Sequence, residues 1–317
     1  MKTIVTGGAG FIGSHLVDRL LAEGHDVDVV DSLWTGNLAN LEPARRAHGD
    51  RLRFHHLDIR DATLVELIEA RAPEVVFHLA AQADVRVSVA RPVFDAEVNV
   101  IGSLQVMEGA RRAGARKVVV ASSGGTIYGE PSPDALPVTE DHPQHPTSPY
   151  GVAKKVVDDY LFCYHALHGL AFTALALANV YGPRQDPNGE AGVVAIFAGR
   201  LLSGKPCTIF GDGEQTRDFV YVADVVDAFV RSVTDGDGML LNIGTGVETT
   251  VNELYDSMAR AAGVEQPARH APPRAGELAR SALDPALAGK ILGWTPRTDL
   301  DTGTVAVLDW FRAQRPA

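Results

Sequence analysis

The chain has 317 residues, 45% of them hydrophobic and 22% charged, enough to bury a large core in one big or two modest domains. A formal net charge of -11 argues against a nucleic-acid backbone binder, and no apolar run approaches membrane-spanning length. Cys163 and Cys207 match no metal or redox spacing, and the N-terminal residues enter a strand without a leader pattern, so a cytoplasmic protein with reduced thiols is expected.

Taken in order, the apolar run Lys2–Val5 leads into Thr6-Gly7-Gly8-Ala9-Gly10-Phe11-Ile12-Gly13 and then an amphipathic segment from Ser14 to Gly24. This reads as strand, glycine turn and helix, the arrangement that lets backbone approach a pyrophosphate and aims helix N-terminal N–H groups at it. The spacing fits GxxGxxG through Gly7, Gly10 and Gly13, or GxGxxG through Gly8, Gly10 and Gly13. The next strand, Asp26–Val30, ends in Asp31, at the distance where an acid takes the adenosine ribose hydroxyls. No Arg or Lys follows in residues 32–37 to receive a 2′-phosphate, so the expected cofactor is NAD rather than NADP.

A polar connection follows, then a third strand, Arg51–Leu57, with Asp58 placed either to meet the adenine amino group or to cap the helix over 61–71. Glu74–Leu79 has the apolar run of a strand buried on both faces, and the small pair Ala80-Ala81 after it admits a cofactor. His78 is expected to be a packed histidine. Helical spacing covers 93–114, a fifth strand runs from Lys117 to Ala121, and a proline-rich loop leads to a helix from Tyr150 to about Leu167. Strand and helix alternate throughout, which predicts a doubly wound parallel α/β sheet.

The second half is mixed. It predicts strands at 171–177, 206–210 and 240–243, and helices at 191–202, 223–233, 250–262, 285–291 and 301–311. The expected division is a cofactor domain of residues 1–178 with about 218–247, interleaved with a smaller substrate domain of about 179–217 and 248–317.

Tyr150 and Lys154 lie four apart at a helix start and so share one face. An ammonium about 4 Å from a phenol, at an effective dielectric near 20, is worth roughly 4 kcal/mol and would bring the phenol towards a working general base. Hydroxyls of Ser123 and Thr126 come to the same sheet edge. The histidines have no acidic partners at metal spacing, so no metal is expected. The adjacent acids Asp158-Asp159 do not read as a paired-carboxylate site, since neighbouring helical residues point apart.

These features, with His78-Leu79-Ala80-Ala81, Asn99, Ser122-Ser123, Thr126-Ile127-Tyr128-Gly129, Tyr150-Gly151-Val152-Ala153-Lys154 and Asn179-Val180-Tyr181-Gly182-Pro183-Arg184, resemble the extended short-chain dehydrogenase/reductases of the nucleotide-sugar 4-epimerase family over nearly the whole chain. The resemblance implies a Rossmann-like sheet with a smaller C-terminal α/β domain. It implies Tyr150 as base, Lys154 as its modulator and holder of the nicotinamide ribose, and Thr126, with Ser123, at the sugar 4-hydroxyl. The implied NAD contacts are Gly7, Gly10, Phe11, Ile12, Gly13, Asp31, Asn37, Asp58, Ile59, Leu79, Ala80, Ala81, Asn99, Ser122, Tyr150 and Lys154. The implied UDP-sugar contacts are Thr126, Asn179, Arg184, Val193, Thr208, Phe210, Arg217, Arg274 and Glu277. A homodimer through the long helices belongs to the same implication.

Related sugar dehydratases and decarboxylases carry carboxylates where this chain has Gly124-Gly125-Thr126, which leaves oxidation and re-reduction at C4, an epimerisation. The two glycines also suggest room beside the sugar ring. With Arg184, or the backbone N–H groups of this loop with Thr126, as the partner of a C5 carboxylate, the preferred substrate is expected to be UDP-glucuronate, with UDP-glucose and UDP-galactose as the alternative. Ser281 falls where a bulkier residue narrows the pocket in some relatives, so N-acetylated sugars stay open. Retention of both Tyr150 and Lys154 speaks against a non-catalytic NAD-binding sensor.

Overall fold

The computed structural model describes residues 1–187, 192–273 and 278–314. In its first half, β1 (Lys2–Thr6), α1 (Phe11–Ala22), β2 (Asp26–Asp31), α2 (Glu42–His48), β3 (Leu52–His56), α3 (Thr63–Arg71) and β4 (Val75–His78) lead to α4 (Val85–Ala90), α5 (Pro92–Ala96) and α6 (Ser103–Arg112). There follow β5 (Lys117–Ser123), the single turn α7 (Gly124–Ile127), α8 (Pro149–His168) and β6 (Ala171–Leu177). The second half holds β7 (Asn179–Tyr181), α9 (Val193–Leu202), β8 (Thr208–Phe210), β9 (Thr216–Arg217), β10 (Phe219–Tyr221), α10 (Val222–Arg231), β11 (Met239–Ile243), β12 (Thr249–Thr250), α11 (Val251–Ala262), β13 (Arg269–Ala271), α12 (Ala286–Leu292) and α13 (Leu300–Ala313).

Seven strands form one sheet in the order β11-β6-β5-β4-β1-β2-β3, and every pairing in it is parallel. The order reverses between β1 and β4, so their carboxyl ends open the crevice where such sheets take ligands. Burial on both faces explains the unbroken apolar runs. Val5, Phe77 and Val119 pack with Leu16 and Leu20 of α1 and Phe229 of α10; Ile4, Val76 and Val118 pack on the other face with Ile68, Val106, Val157 and Leu161 of α3, α6 and α8.

A separate core joins Tyr181, Val194, Phe197, Ile209, Leu254, Met258 and Val307, from α9, α11, α13 and short strands. The chain passes between the two cores, because β11 returns to extend the large sheet beyond β6. Fully buried Asp218 fastens this crossing. Its carboxylate accepts the Thr245 N–H at 2.9 Å and hydroxyl at 2.7 Å, the Gly246 N–H at 3.1 Å and the Leu283 N–H at 3.2 Å.

The helix ends follow their sequences. Thr250 and Glu253 form a capping box at α11, and Ser148 caps α8 ahead of Pro149, with Gly169 left-handed beyond its end. The stretch predicted as one helix over 93–114 instead carries a π turn, Glu97–Gly102, between α5 and α6. That turn directs Asn99 inward, where it is 1% exposed. The polar connection after Asp31 contains α2, because Leu41 and Ala44 are drawn under the core. Among the described residues no helix is long and apolar enough to cross a membrane.

Asp218→Ala would strand several buried N–H donors at once, and a stability loss of about 3 kcal/mol is expected. The midpoint of thermal unfolding checks this; an unchanged midpoint would contradict the role given to Asp218.

Candidate active site

The glycine turn is shaped by close backbone contact. Gly7 has φ of 70°, and a Cβ there would lie 2.7 Å from the Ala80 nitrogen; a Cβ on Gly13 would lie 2.1 Å from the Gly7 oxygen. Gly10 begins α1 without a side-chain cap, so the first-turn N–H groups remain for an anion. Asp31 sits over the turn, accepting the Ala9 N–H at 2.9 Å through Oδ2 and the Leu33 N–H at 2.8 Å through Oδ1. Each oxygen keeps a further lone pair, as a ribose-binding carboxylate requires. Asn37 straps the following loop down through its N–H to the Ala9 oxygen, while its side chain caps a short turn at Ala39.

At the adenosine end, Asp58 meets a partner that sequence reading missed. Arg60 donates to it from its backbone N–H, Nε and Nη2 at 2.8–3.0 Å, which holds the Asp58 carboxyl below its usual range. Buried Ile59 packs against Gly102. An open groove of about 580 Å³, lined by Trp34, Arg60, Arg91, Phe94 and Glu97, adjoins this end.

The exit of β4 is held from behind. Leu79 and Ala80 bond to the Thr6 carbonyl and hydroxyl, and buried His78 links the Thr6 hydroxyl at 2.7 Å to that of Ser103 at 2.8 Å. Burial keeps His78 neutral, with its pKa pushed down to about 3. Asn99, expected at the cofactor, uses its amide internally: it bonds both backbone sides of Gln82 and donates to Asp95, each at 2.9 Å. Its action on this loop, which begins at Ala80 and Ala81, is therefore exerted through Gln82.

The reacting groups meet where α8 docks on the end of β5. Tyr150 bonds to Ser123, and the Lys154 ammonium donates to the Ala121 carbonyl at 2.7 Å, 5.7 Å from the Tyr150 ring centre. Burial, reinforced by the charges of Asp95 and Asp158, pushes the phenol up to about 12; it pushes the ammonium down to about 8 against the opposing pull of the same two carboxylates. In the protein alone, burial thus outweighs the lowering expected of Lys154, to which a nearby oxidised nicotinamide is expected to add. Ser122 turns inward, donating to buried Asp158 at 2.7 Å, and the Thr126 hydroxyl donates to the Ser123 carbonyl at 3.3 Å.

Towards the substrate side, the Asn179 amide oxygen lies 3.9 Å from where a Gly125 Cβ would stand, so α7 and β7 face each other across open space. Gly124 offers no such room. Leu283 fills its place, 2.4 Å from a would-be Cβ. Arg184, at φ of 68°, pairs with Asp18 of α1 at 2.7 Å through Nη2, while its buried Nη1 has no hydrogen-bond partner. Thr208 and Phe210 lie on β8 and Arg217 on β9, where its guanidinium donates to the Thr216 carbonyl; Val193 opens α9. Arg274 and Glu277 lie outside the described residues.

A family model described as "NAD dependent epimerase/dehydratase family" matches residues 3–244. The chain belongs to that family. Its relatives include a UDP-glucose 4-epimerase of Mycolicibacterium smegmatis, 51% identical over 98% of this chain and 99% of that protein. Two solved structures are similar over 99% of this chain: a UDP-glucose 4-epimerase of Thermotoga maritima with UDP-glucose (44% identity, 99% of that chain, TM-score 0.94) and one of Thermus thermophilus with NAD (41%, 100%, 0.92). The chain is thus an NAD-using epimerase of the extended short-chain dehydrogenase/reductase type, an isomerase, and its uncapped, glycine-lined turn beside Asp31 fits that cofactor.

In this epimerase, Gly124 is a packing requirement of Leu283. Gly124→Ala is expected to lower the thermal midpoint, and adding Leu283→Ala should recover part of it, a coupling readable in a double-mutant cycle. Simple additivity would contradict the contact.

Proposed function

We propose that this epimerase interconverts UDP-glucose and UDP-galactose by inverting C4 of the hexose. The observation that carries the reading is the make-up of the sheet edge beside Tyr150. It presents the hydroxyls of Ser123 and Thr126 and, among the described residues, no carboxylate open to a substrate. The two acids near Tyr150, Asp95 and Asp158, are 1% and 2% exposed and bonded to Gln82, Asn99 and Ser122. Such an edge can move the proton of a 4-hydroxyl but cannot protonate or deprotonate beyond C4.

Tyr150, as the phenolate, takes the 4-hydroxyl proton and later returns it; Ser123 and Thr126 orient the oxygen by hydrogen bonds. NAD, when bound, supplies the hydride acceptor and donor, so a 4-keto sugar forms and is reduced on its other face. Lys154 keeps positive charge beside the phenolate. No net redox change or proton release results, and NAD stays bound through the cycle. Asn179 faces the sugar across Gly125, and Arg217, Thr208, Phe210 and Val193, with Arg274 and Glu277, supply the UDP contacts.

Two features support UDP-glucose over UDP-glucuronate in this reading. The space credited to Gly124 belongs to Leu283, and the guanidinium of Arg184 is paired with Asp18. Relatives 41–51% identical are named for UDP-glucose. The same reading includes a homodimer. Val85, Val89, Val93, Ile101 and Val152 are exposed on α4, α5, the π turn and α8, which pack on one another, and a second copy would cover them. Free Cys163 and Cys207 suit a reducing cytoplasm.

UDP-glucose deuterated at C4 is expected to give UDP-galactose without added NAD and with the label retained. Conversion with loss of label to water, or none against ready turnover of UDP-glucuronate, would overturn the reading. Tyr150→Phe should cut turnover by roughly a thousandfold while NAD content is unchanged; near-normal turnover would remove Tyr150 from the chemistry.

A further inference from the structure

α8 carries a third buried group in line with the two already described. Tyr150, Lys154 and Asp158 recur every four residues, so one helix face presents phenol, ammonium and carboxylate in succession. Asp158 accepts the Ser122 hydroxyl through Oδ2, while its Oδ1, buried, has no hydrogen-bond partner. Ser122 adjoins Ala121, whose carbonyl takes the Lys154 ammonium. Asp95 of α5 also acts on Lys154. Its Oδ1 accepts from Gln82 and Asn99, and its Oδ2 is likewise buried without a partner.

Burial raises both carboxyls, Asp158 up to about 7 and Asp95 above the usual carboxylate range; each is costly as the anion unless a cation compensates it, and a buried ammonium is costly without anions. Lys154 is the cation that both act upon. Of the other groups nearby, His78 of β4 is neutral, and Lys155 and Asp159 of α8, which pair with each other at 2.9 Å at the surface, act on Asp158 in opposite directions. The opposing charge also has a dynamic reason, resting on the function proposed above. The positively charged nicotinamide of bound NAD would drive the proton off Lys154, and the phenolate beside it is neutralised whenever Tyr150 takes up a proton.

We propose that Asp158, supported by Asp95, is the positioning residue that keeps Lys154 an ammonium throughout the reaction. Removing the carboxylate leaves Lys154 surrounded by burial and a cofactor cation, both of which favour the free amine. Ser122 tunes this, since its hydroxyl stabilises the charged form of Asp158. Asp158 touches neither sugar nor cofactor in this account.

The sequence has six lysines, few enough to follow by NMR in NAD-loaded protein grown on labelled lysine, with the Lys154 signal assigned by its loss in Lys154→Arg. In Asp158→Asn the Lys154 midpoint is expected to fall by about one pH unit, a tenfold gain in acidity. The alkaline limb of kcat should move down by the same interval, with NAD content kept, and Asp158→Glu should restore part of it. Ser122→Ala, which spares the carboxylate should Asp158→Asn fail to fold, is expected to move the midpoint the same way by less. Midpoints equal to the wild type in the variants that fold would overturn the proposal and leave Asp158 as the packing partner of Ser122. The lysine titration needs no turnover, so inactivity on UDP-hexoses would reject the sugar assignment without touching it.

Discussion

The bond from the Lys154 ammonium to the Ala121 carbonyl joins the one helix that carries the reactive side chains to the one strand whose end faces them. Because β5 is central in the parallel sheet, its carboxyl end is fixed by pairing on both sides, with β4 and β6. α8 is tied to that end also through the Tyr150–Ser123 contact and the Ser122–Asp158 bond. A shift of α8 along the strand would break all of these together, so a catalytic geometry is fixed by the bonds that dock one helix.

Burial gives this site its character. It raises the phenol and lowers the ammonium, leaving the unloaded protein with an unreactive Tyr150. On the proposed mechanism, the positive charge that turns the phenol into a base comes from two sources, Lys154 and the nicotinamide of NAD. Reactivity is then confined to protein that holds its cofactor. In a dry site each such charge counts for several times its value in water.

How much of this was legible depends on whether a residue acts through its neighbours in sequence or in space. The glycine turn, Asp31, the Tyr150–Lys154 spacing and the alternation of strand and helix are local patterns, and each marked its element. Seven parallel strands followed from the apolar runs, although the crossing of β11 back into the sheet depends on Asp218, which binds residues 27 and 65 positions away. The Arg184–Asp18 pair, whose members are 166 positions apart, and the Leu283 side chain under Gly124 leave no mark on neighbouring residues. Asp158 is the instructive miss. Read beside Asp159 it means little, but read at intervals of four with Tyr150 and Lys154 it falls on the buried face. The expectation for Lys154 and Tyr150 weighed their charges and not the burial of both groups, which a four-residue spacing does not reveal.

The central claim, that cofactor charge turns a buried and reluctant phenol into a base, is open to direct titration. Ultraviolet difference spectra between the wild type and Tyr150→Phe isolate the phenolate of this one residue, with the protein stripped of NAD and then reloaded. The account requires no phenolate at neutral pH in the stripped protein and a midpoint several units lower once NAD is bound. A midpoint that stays the same in both forms would contradict it.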